Sequence, residues 1–277
     1  MTEAGLSLNL RCAMRRGLGT VALVTLVSVP AAAQPEPSVG DAADRPGFAD
    51  TPVLLGPGQM QIEAGFTWER NDPGAELTKT TTLPQIELHA GITPRVELSL
   101  AWDGLVSVVA PESTTSAGHR STGLADVRLG AKFGLVNRPR VNAALIAYGN
   151  LPVGSEAFSS HYADPRTRLA WAIAVSNRAG LSGTLDLGAA REEDGRVRAK
   201  PAASMSLGTI VVRALNGFIG IVDESPEAGS RPDLWSVETG AVLALGVRTQ
   251  IDVWVNRRVS GGPDNWFIGG GVARRLR

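Results

Sequence analysis

Cysteine is nearly missing from this chain. Cys12 is the only one in 277 residues, which excludes disulfide scaffolds and CxxC-type zinc or redox sites. A surplus of either charge is missing too: 27 basic residues balance 27 acidic ones, so the chain carries no electrostatic footprint for nucleic acid. No apolar run reaches the roughly 20 residues that a helix needs to cross a bilayer, which excludes a polytopic helical membrane protein. Nor is there a GxGxxG between strand and helix, a GxxxxGK followed by Ser or Thr, or an HExxH, so no cofactor and no metal site is expected. Aromatics are scarce at 5%, yet 43% of residues are hydrophobic, too many for a disordered chain. Glycine and proline abound, 32 and 17, leaving room for the many turns of an all-β protein.

The beginning of the chain reads as an export signal. Arg11, Arg15 and Arg16 precede an apolar stretch over 17–29, followed by Pro30, Ala31, Ala32 and Ala33, the charged, apolar and small-residue parts of a secretory signal cleaved after Ala33. Cys12 lies upstream of the apolar stretch, so the mature chain has no cysteine and no lipidation site. Residues 34–58, rich in Pro, Asp and Ala without a period of 2 or 3.6, read as an extended periplasmic leader or plug. Residues 59–277 remain for the fold.

That remainder counts out as two-faced strands. Met60, Ile62, Ala64, Phe66 and Trp68 alternate with Gln59, Gln61, Glu63 and Thr67, which is the period of a half-buried strand. The pattern returns around Ile86 to Ile92, Val96 to Trp102, Val127 to Phe133, Leu185 to Leu187, Val197 to Met205, Val237 to Leu243 and Ile251 to Val255. Weaker candidates at 141–152, 169–177, 210–223 and 266–276 bring the total to about twelve strands of roughly ten residues, the length of a tilted transmembrane β-strand. Connections alternate as well. Short turns at 93–95, 136–140, 177–180, 207–209 and 246–249 are separated by longer polar loops at 71–79, 110–122, 154–168, 192–195, 224–233 and 260–265. Short turns at one end and long loops at the other are the signature of an up-and-down outer-membrane barrel.

Desolvation decides which face meets lipid. Glu63, Glu87, His89, Glu97, Asp126, Arg128, Lys132, Asp186, Lys200, Glu238 and Asp252 all have the parity opposite to the aliphatic side chains. Unpaired burial would cost several kcal/mol for each charge, so they are expected to line a polar lumen in which opposite charges pair. Trp68, Trp102, Trp171, Trp235 and Trp266 are expected to form a girdle at the long-loop rim, where an indole suits the headgroup interface. Trp254 stands apart, in mid-strand with inward parity.

The residues that open and punctuate the barrel resemble a known family. Asp44-Arg45-Pro46-Gly47-Phe48-Ala49-Asp50-Thr51-Pro52, then Gly56-Pro57-Gly58-Gln59-Met60-Gln61-Ile62-Glu63, are similar to the entry of the outer-membrane transporters grouped under meta-pathway phenol degradation. Gly91-Ile92-Thr93-Pro94-Arg95-Val96-Glu97-Leu98, Gly123-Leu124-Ala125-Asp126-Val127-Arg128 and Asp264-Asn265-Trp266-Phe267 extend the resemblance over nearly the whole mature chain. Ala49-Asp50 stands where the family has a Thr-Glu pair, and the last strand ends Arg274-Arg275-Leu276-Arg277 instead of in an aromatic residue. The resemblance implies an outer-membrane, porin-like barrel passing small solutes, aromatic or hydrophobic compounds among them.

The resulting expectation is a monomeric Gram-negative outer-membrane channel without enzymatic activity, surrounded by lipid and lipopolysaccharide. Two rival classes make different demands. A structural or ligand-binding barrel without transport needs a dry interior and charges outside. An outer-membrane phospholipase or esterase needs a serine within hydrogen-bond reach of a histidine; Ser99, across a short turn from His89, is the one candidate, and its lumen parity keeps it from lipid.

Overall fold

The computed structural model describes residues 39–73, 77–111, 118–191, 196–224 and 234–276. The expected export signal lies outside the described residues, as do parts of the expected loops at 71–79, 110–122, 192–195 and 224–233.

Among the described residues fourteen strands make one antiparallel sheet that closes on itself. They are β1 (Met60–Asp72), β2 (Thr78–Thr93), β3 (Val96–Trp102), β4 (Leu105–Ala110), β5 (His119–Leu124), β6 (Val127–Arg138), β7 (Val141–Leu151), β8 (Pro165–Ala174), β9 (Ala179–Arg191), β10 (Val197–Val212), β11 (Leu215–Glu224), β12 (Leu234–Ala244), β13 (Thr249–Ser260) and β14 (Asp264–Arg275). β1 pairs with β14 on one side and β2 on the other, which abolishes the sheet edge there. β3 and β4 both pair with β2 and are two halves of one bent strand; β5 and β6 continue each other in the same way, against β4 and β3. The barrel therefore has twelve staves, as the alternation predicts. The bend between β3 and β4 sits at Gly104, which has φ +69° and whose absent Cβ would fall onto the carbonyl oxygen of Pro84; any side chain there would clash as well as strain the backbone.

Alternation along each stave sorts side chains by environment. Leu98, Leu100, Leu129, Leu185, Ile221, Val253 and Ile268 are exposed on the outer wall, an apolar surface far too large for a soluble monomer. Their neighbours point inward: Glu63, His89, Glu97 and Glu238 are each only 1% exposed. The fold is thus inverted relative to a water-soluble barrel, with ionisable groups inside and aliphatic groups outside, the arrangement that a lipid solvent demands.

Three details differ from the sequence expectation. The connection between β10 and β11 lies at Arg213 and Ala214, not at 207–209. Gly208 and Thr209 have the composition of a turn, but they belong to the β10 ladder opposite Gly180 and Ala179. The expected long loop 110–122 is shortened by the β4–β5 hairpin, which pairs Leu105 with Leu124 and Ala110 with His119. And β8 begins at Pro165, four residues before the expected start.

Candidate functional site

The lumen is not left to solvent, because the expected leader runs inside it. Val39 opens a one-turn helix, α1 (Val39–Ala42), and donates its N–H to the carbonyl of Val247 in the β12–β13 turn (3.2 Å). Ala43 packs on Ala273 of β14. The chain then rises into the barrel, reverses around 44–51 and returns to the short-turn end, where the Gly58 N–H donates to the Gly91 carbonyl (2.8 Å). Thr51 N–H donates to Asp44 Oδ1 (2.8 Å) and closes the reversal.

The side chains of Asp44, Arg45, Phe48 and Asp50 meet partners on several staves. Asp44 receives the Lys132 ammonium of β6 at 2.9 Å and lies 3.9 Å from His89 Nδ1 of β2. Arg45 approaches Asp252 of β13 (3.5 Å). Its guanidinium fits only because Gly65 and Gly271 carry no side chain; a Cβ at either would fall within about 2.6 Å of it. Phe48 meets Trp254 and Phe267 edge-on, centroids 5.5 and 5.7 Å apart, and its N–H donates to Glu238 Oε2 (3.3 Å). Asp50 pairs with Arg168 of β8 at 2.7 Å. Leu55 N–H donates to Glu97 Oε2 at 2.7 Å. These contacts reach β2, β3, β6, β8 and β12 to β14, so the segment is tied around most of the inner circumference.

Below the reversal the packing is dense and ionic. His89 Nδ1 lies 3.0 Å from Glu97 Oε1 and Nε2 lies 3.5 Å from Glu63 Oε1. Asp44, His89 and Glu97 bring possible ligand atoms within 4.8 Å of one another. The Lys132 ammonium stands among them, 2.9 Å from Asp44 and 3.7 Å from Glu97, and supplies the positive charge that a cation would otherwise bring. Register sets His89 directly opposite Ser99, yet the ring nitrogens face Glu97 and Glu63 rather than that serine.

Above the reversal the lumen opens into a cavity of about 500 Å³. Its floor is Phe48 and Asp50. One wall, from β1 to the β3–β4 bend, offers Glu69, Glu87 and Asp103; the neighbouring wall, β6 to β8, offers Arg128, Tyr148 and Arg168. Both guanidiniums stack on Tyr148, 5.3 and 5.9 Å from the ring centroid. Arg128 reaches Glu87 only loosely, at 3.6 Å, while Arg168 is held by Asp186 as well as Asp50. A smaller cavity of about 140 Å³ lies against Glu63, Glu87 and Arg45.

Of the residues expected to line the lumen, Glu63, Glu87, His89, Glu97, Arg128, Lys132, Asp186, Glu238 and Asp252 make the interior contacts above or belong to the same network; Ser206 Oγ donates to Glu238. Lys200 shares the inward parity of Ser204 and Ser206 on β10 but lines neither cavity. Asp126 is a correction. It sits in the break between β5 and β6 and accepts the N–H groups of Gly154 (2.9 Å) and Ser160 (2.7 Å) and the Ser160 hydroxyl, so it fastens the long β7–β8 loop instead of lining the pore. Burial pushes its carboxyl up, but those donors together with the Ser159 hydroxyl outweigh burial and hold it below the ordinary 3.8. The rim tryptophans also divide. Trp68, Trp102, Trp235 and Trp266 lie toward the long-loop end of their strands. Trp171 does not: it pairs with Ala143, near the β6–β7 turn, because β8 starts earlier than its alternation suggests. Asp44, Arg45, Phe48 and Asp50 carry much of the site and were not singled out as site residues, since a segment without periodicity gives no parity from which to place a side chain.

Residues 43–276 match a family model described as "Putative MetA-pathway of phenol degradation". No curated protein sequence matches. Among solved structures the chain is similar to the COG4313 outer membrane channel from Pseudomonas putida F1, with TM-score 0.65 and 13% identity over 80% of this chain and 97% of that one. It is also similar to the NanC porin, with TM-score 0.53 and 6% identity over 78% of this chain and all of that one. At these identities the likeness is one of fold.

Proposed function

Since the chain belongs to the family described as "Putative MetA-pathway of phenol degradation", we propose that it is a monomeric outer-membrane channel for small solutes, closed toward its short-turn end by its own residues 39–58. The observation that carries this reading is the cavity of about 500 Å³ inside a barrel whose outer wall is aliphatic. Such a volume lies in the range of small-molecule sites, and a wet polar lumen has no use in a barrel that only scaffolds the envelope. The leader holds its place mainly through ion pairs of Asp44, Arg45 and Asp50, contacts that water can replace when the segment shifts. Lipid and lipopolysaccharide form its surroundings, with Trp68, Trp102, Trp235 and Trp266 at the headgroup level.

Purified protein in planar bilayers and proteoliposomes tests this. Ion current and entry of small solutes are expected, with current rising in the double variant Asp44→Asn, Asp50→Asn as the leader loosens. A barrel with heat-dependent gel mobility that passes neither ions nor solutes in either form would defeat the channel assignment while leaving the fold standing.

A further inference from the structure

The two charged walls of the upper cavity are segregated by sign, and their free valences differ in kind. On the acidic wall, Glu69 accepts a hydrogen bond from the Asn265 amide (2.8 Å) and Asp103 one from the Gln85 amide (3.4 Å). Among the described residues neither carboxylate has a cation within 4.0 Å. Gln85 is itself steadied by the Thr67 hydroxyl (2.7 Å), so the acceptor at Asp103 is held in place. On the basic wall Arg168 is spent on Asp50 and Asp186, whereas Arg128 stacks on Tyr148, reaches Glu87 only loosely at 3.6 Å, lies in the field of Asp103 and Asp50, and keeps 35% of its side chain exposed. An apolar corner made by Phe48, Trp254 and Phe267 completes the cavity.

We propose that this cavity is a binding site for small zwitterions with an apolar body, of the amino-acid type: the solute's carboxylate on Arg128, its ammonium on the acidic wall at Asp103, with Glu69 farther along that wall, and its side chain in the aromatic corner. A monoanion gains Arg128 but faces the carboxylates of the acidic wall, and a monocation gains that wall but faces Arg128; only a solute carrying both signs gains at both walls. An uncharged hydrocarbon must displace water from every ionised group and gains only the corner. The segregated walls orient a dipolar solute as it enters, as a fixed pair of charges does in a narrow polar site. This assignment rests on the channel reading for its physiological meaning, but the binding itself does not.

Phenylalanine, 3-phenylpropionate and phenethylamine share one phenyl body and differ in charge alone. Each is measured twice with the full mature chain: binding to detergent-solubilised barrel by calorimetry, and entry into proteoliposomes. Phenylalanine is expected to bind and enter about fivefold better than either singly charged solute, the factor expected for one half-exposed charge contact. Arg128→Gln should abolish the advantage over phenethylamine, and Asp103→Asn the advantage over 3-phenylpropionate, with Glu69→Gln as the second acidic variant should Asp103→Asn fail to fold. Equal binding of the three solutes, or a preference that survives both substitutions, overturns the proposal. Preferential binding of phenylalanine without entry of any solute upholds the site and overturns the channel reading instead; equal entry of all three with no binding preference does the reverse.

Discussion

The Lys132 ammonium lies 2.9 Å from Asp44 Oδ1, although 88 residues separate them in the chain. One partner comes from the barrel wall and the other from the segment inside it, and both are nearly inaccessible to water, 4% and 8% exposed. The pair therefore couples the leader to the barrel. Removing one member leaves the other charge buried with only its more distant partner, His89 at 3.9 Å from Asp44 or Glu97 at 3.7 Å from Lys132.

Lys132→Met should accordingly cost about 3–5 kcal/mol, because Asp44 and Glu97 lose their shared cation. Thermal unfolding in detergent measures the loss, and limited proteolysis reads its location. Cleavage is expected within the leader at protease concentrations that spare the wild type, while the barrel fragment stays intact.

Gly65 should resist substitution because of Arg45, and Gly271 because of Arg45 and the backbone carbonyl oxygen of Ala64, which a Cβ there would meet at 2.4 Å. Alanine at either position puts a methyl group where the guanidinium lies, and the displaced arginine deserts Asp252; a loss of about 1–3 kcal/mol is expected. Gly208→Ala is the control, since a Cβ there meets nothing within 4 Å. Equal melting temperatures for all three variants would contradict the packing described.

Acid should loosen the β7–β8 loop before it unfolds the barrel. The Asp126 carboxyl is held below its ordinary 3.8 by the donors of Gly154, Ser160 and Ser159. Its contribution is therefore complete above about 3.8 and is lost as pH falls through the lower native value. A fluorophore at position 158 should show tight anisotropy at neutral pH and a drop in strongly acidic buffer, and Asp126→Asn should show the reduced anisotropy at every pH.

Much of the barrel was legible because lipid imposes a strict rule on every second residue. Met60 to Trp68, Val96 to Trp102 and Val127 to Phe133 keep that rule, so their inward charges were identifiable from parity alone. Legibility failed where the rule lapses. β4 and β5 alternate Val with Ser or Arg with Ser beyond the aliphatic band, so nothing marks them off from a polar loop. Gly208-Thr209 imitates a turn, while the real turn at Arg213-Ala214 has no turn chemistry. The leader obeys no period, and its placement depends on distant partners: Phe48 is positioned by Trp254, Phe267 and Glu238, none of which local sequence can supply. Trp254 alone gave a hint, as an indole with inward parity that required something apolar inside to cover it.

The account turns on a lipid-facing outer wall and an aqueous inner one, and adjacent positions on β6 test it most directly. Nitroxides at Leu129, which is 47% exposed on the outer wall, and at Arg128, which lines the cavity, are compared in bilayers by their collisions with oxygen and with a water-soluble nickel chelate. The label at 129 should favour oxygen and the label at 128 the nickel chelate. Exposure of both labels to the nickel chelate, or the reverse assignment, would contradict the account.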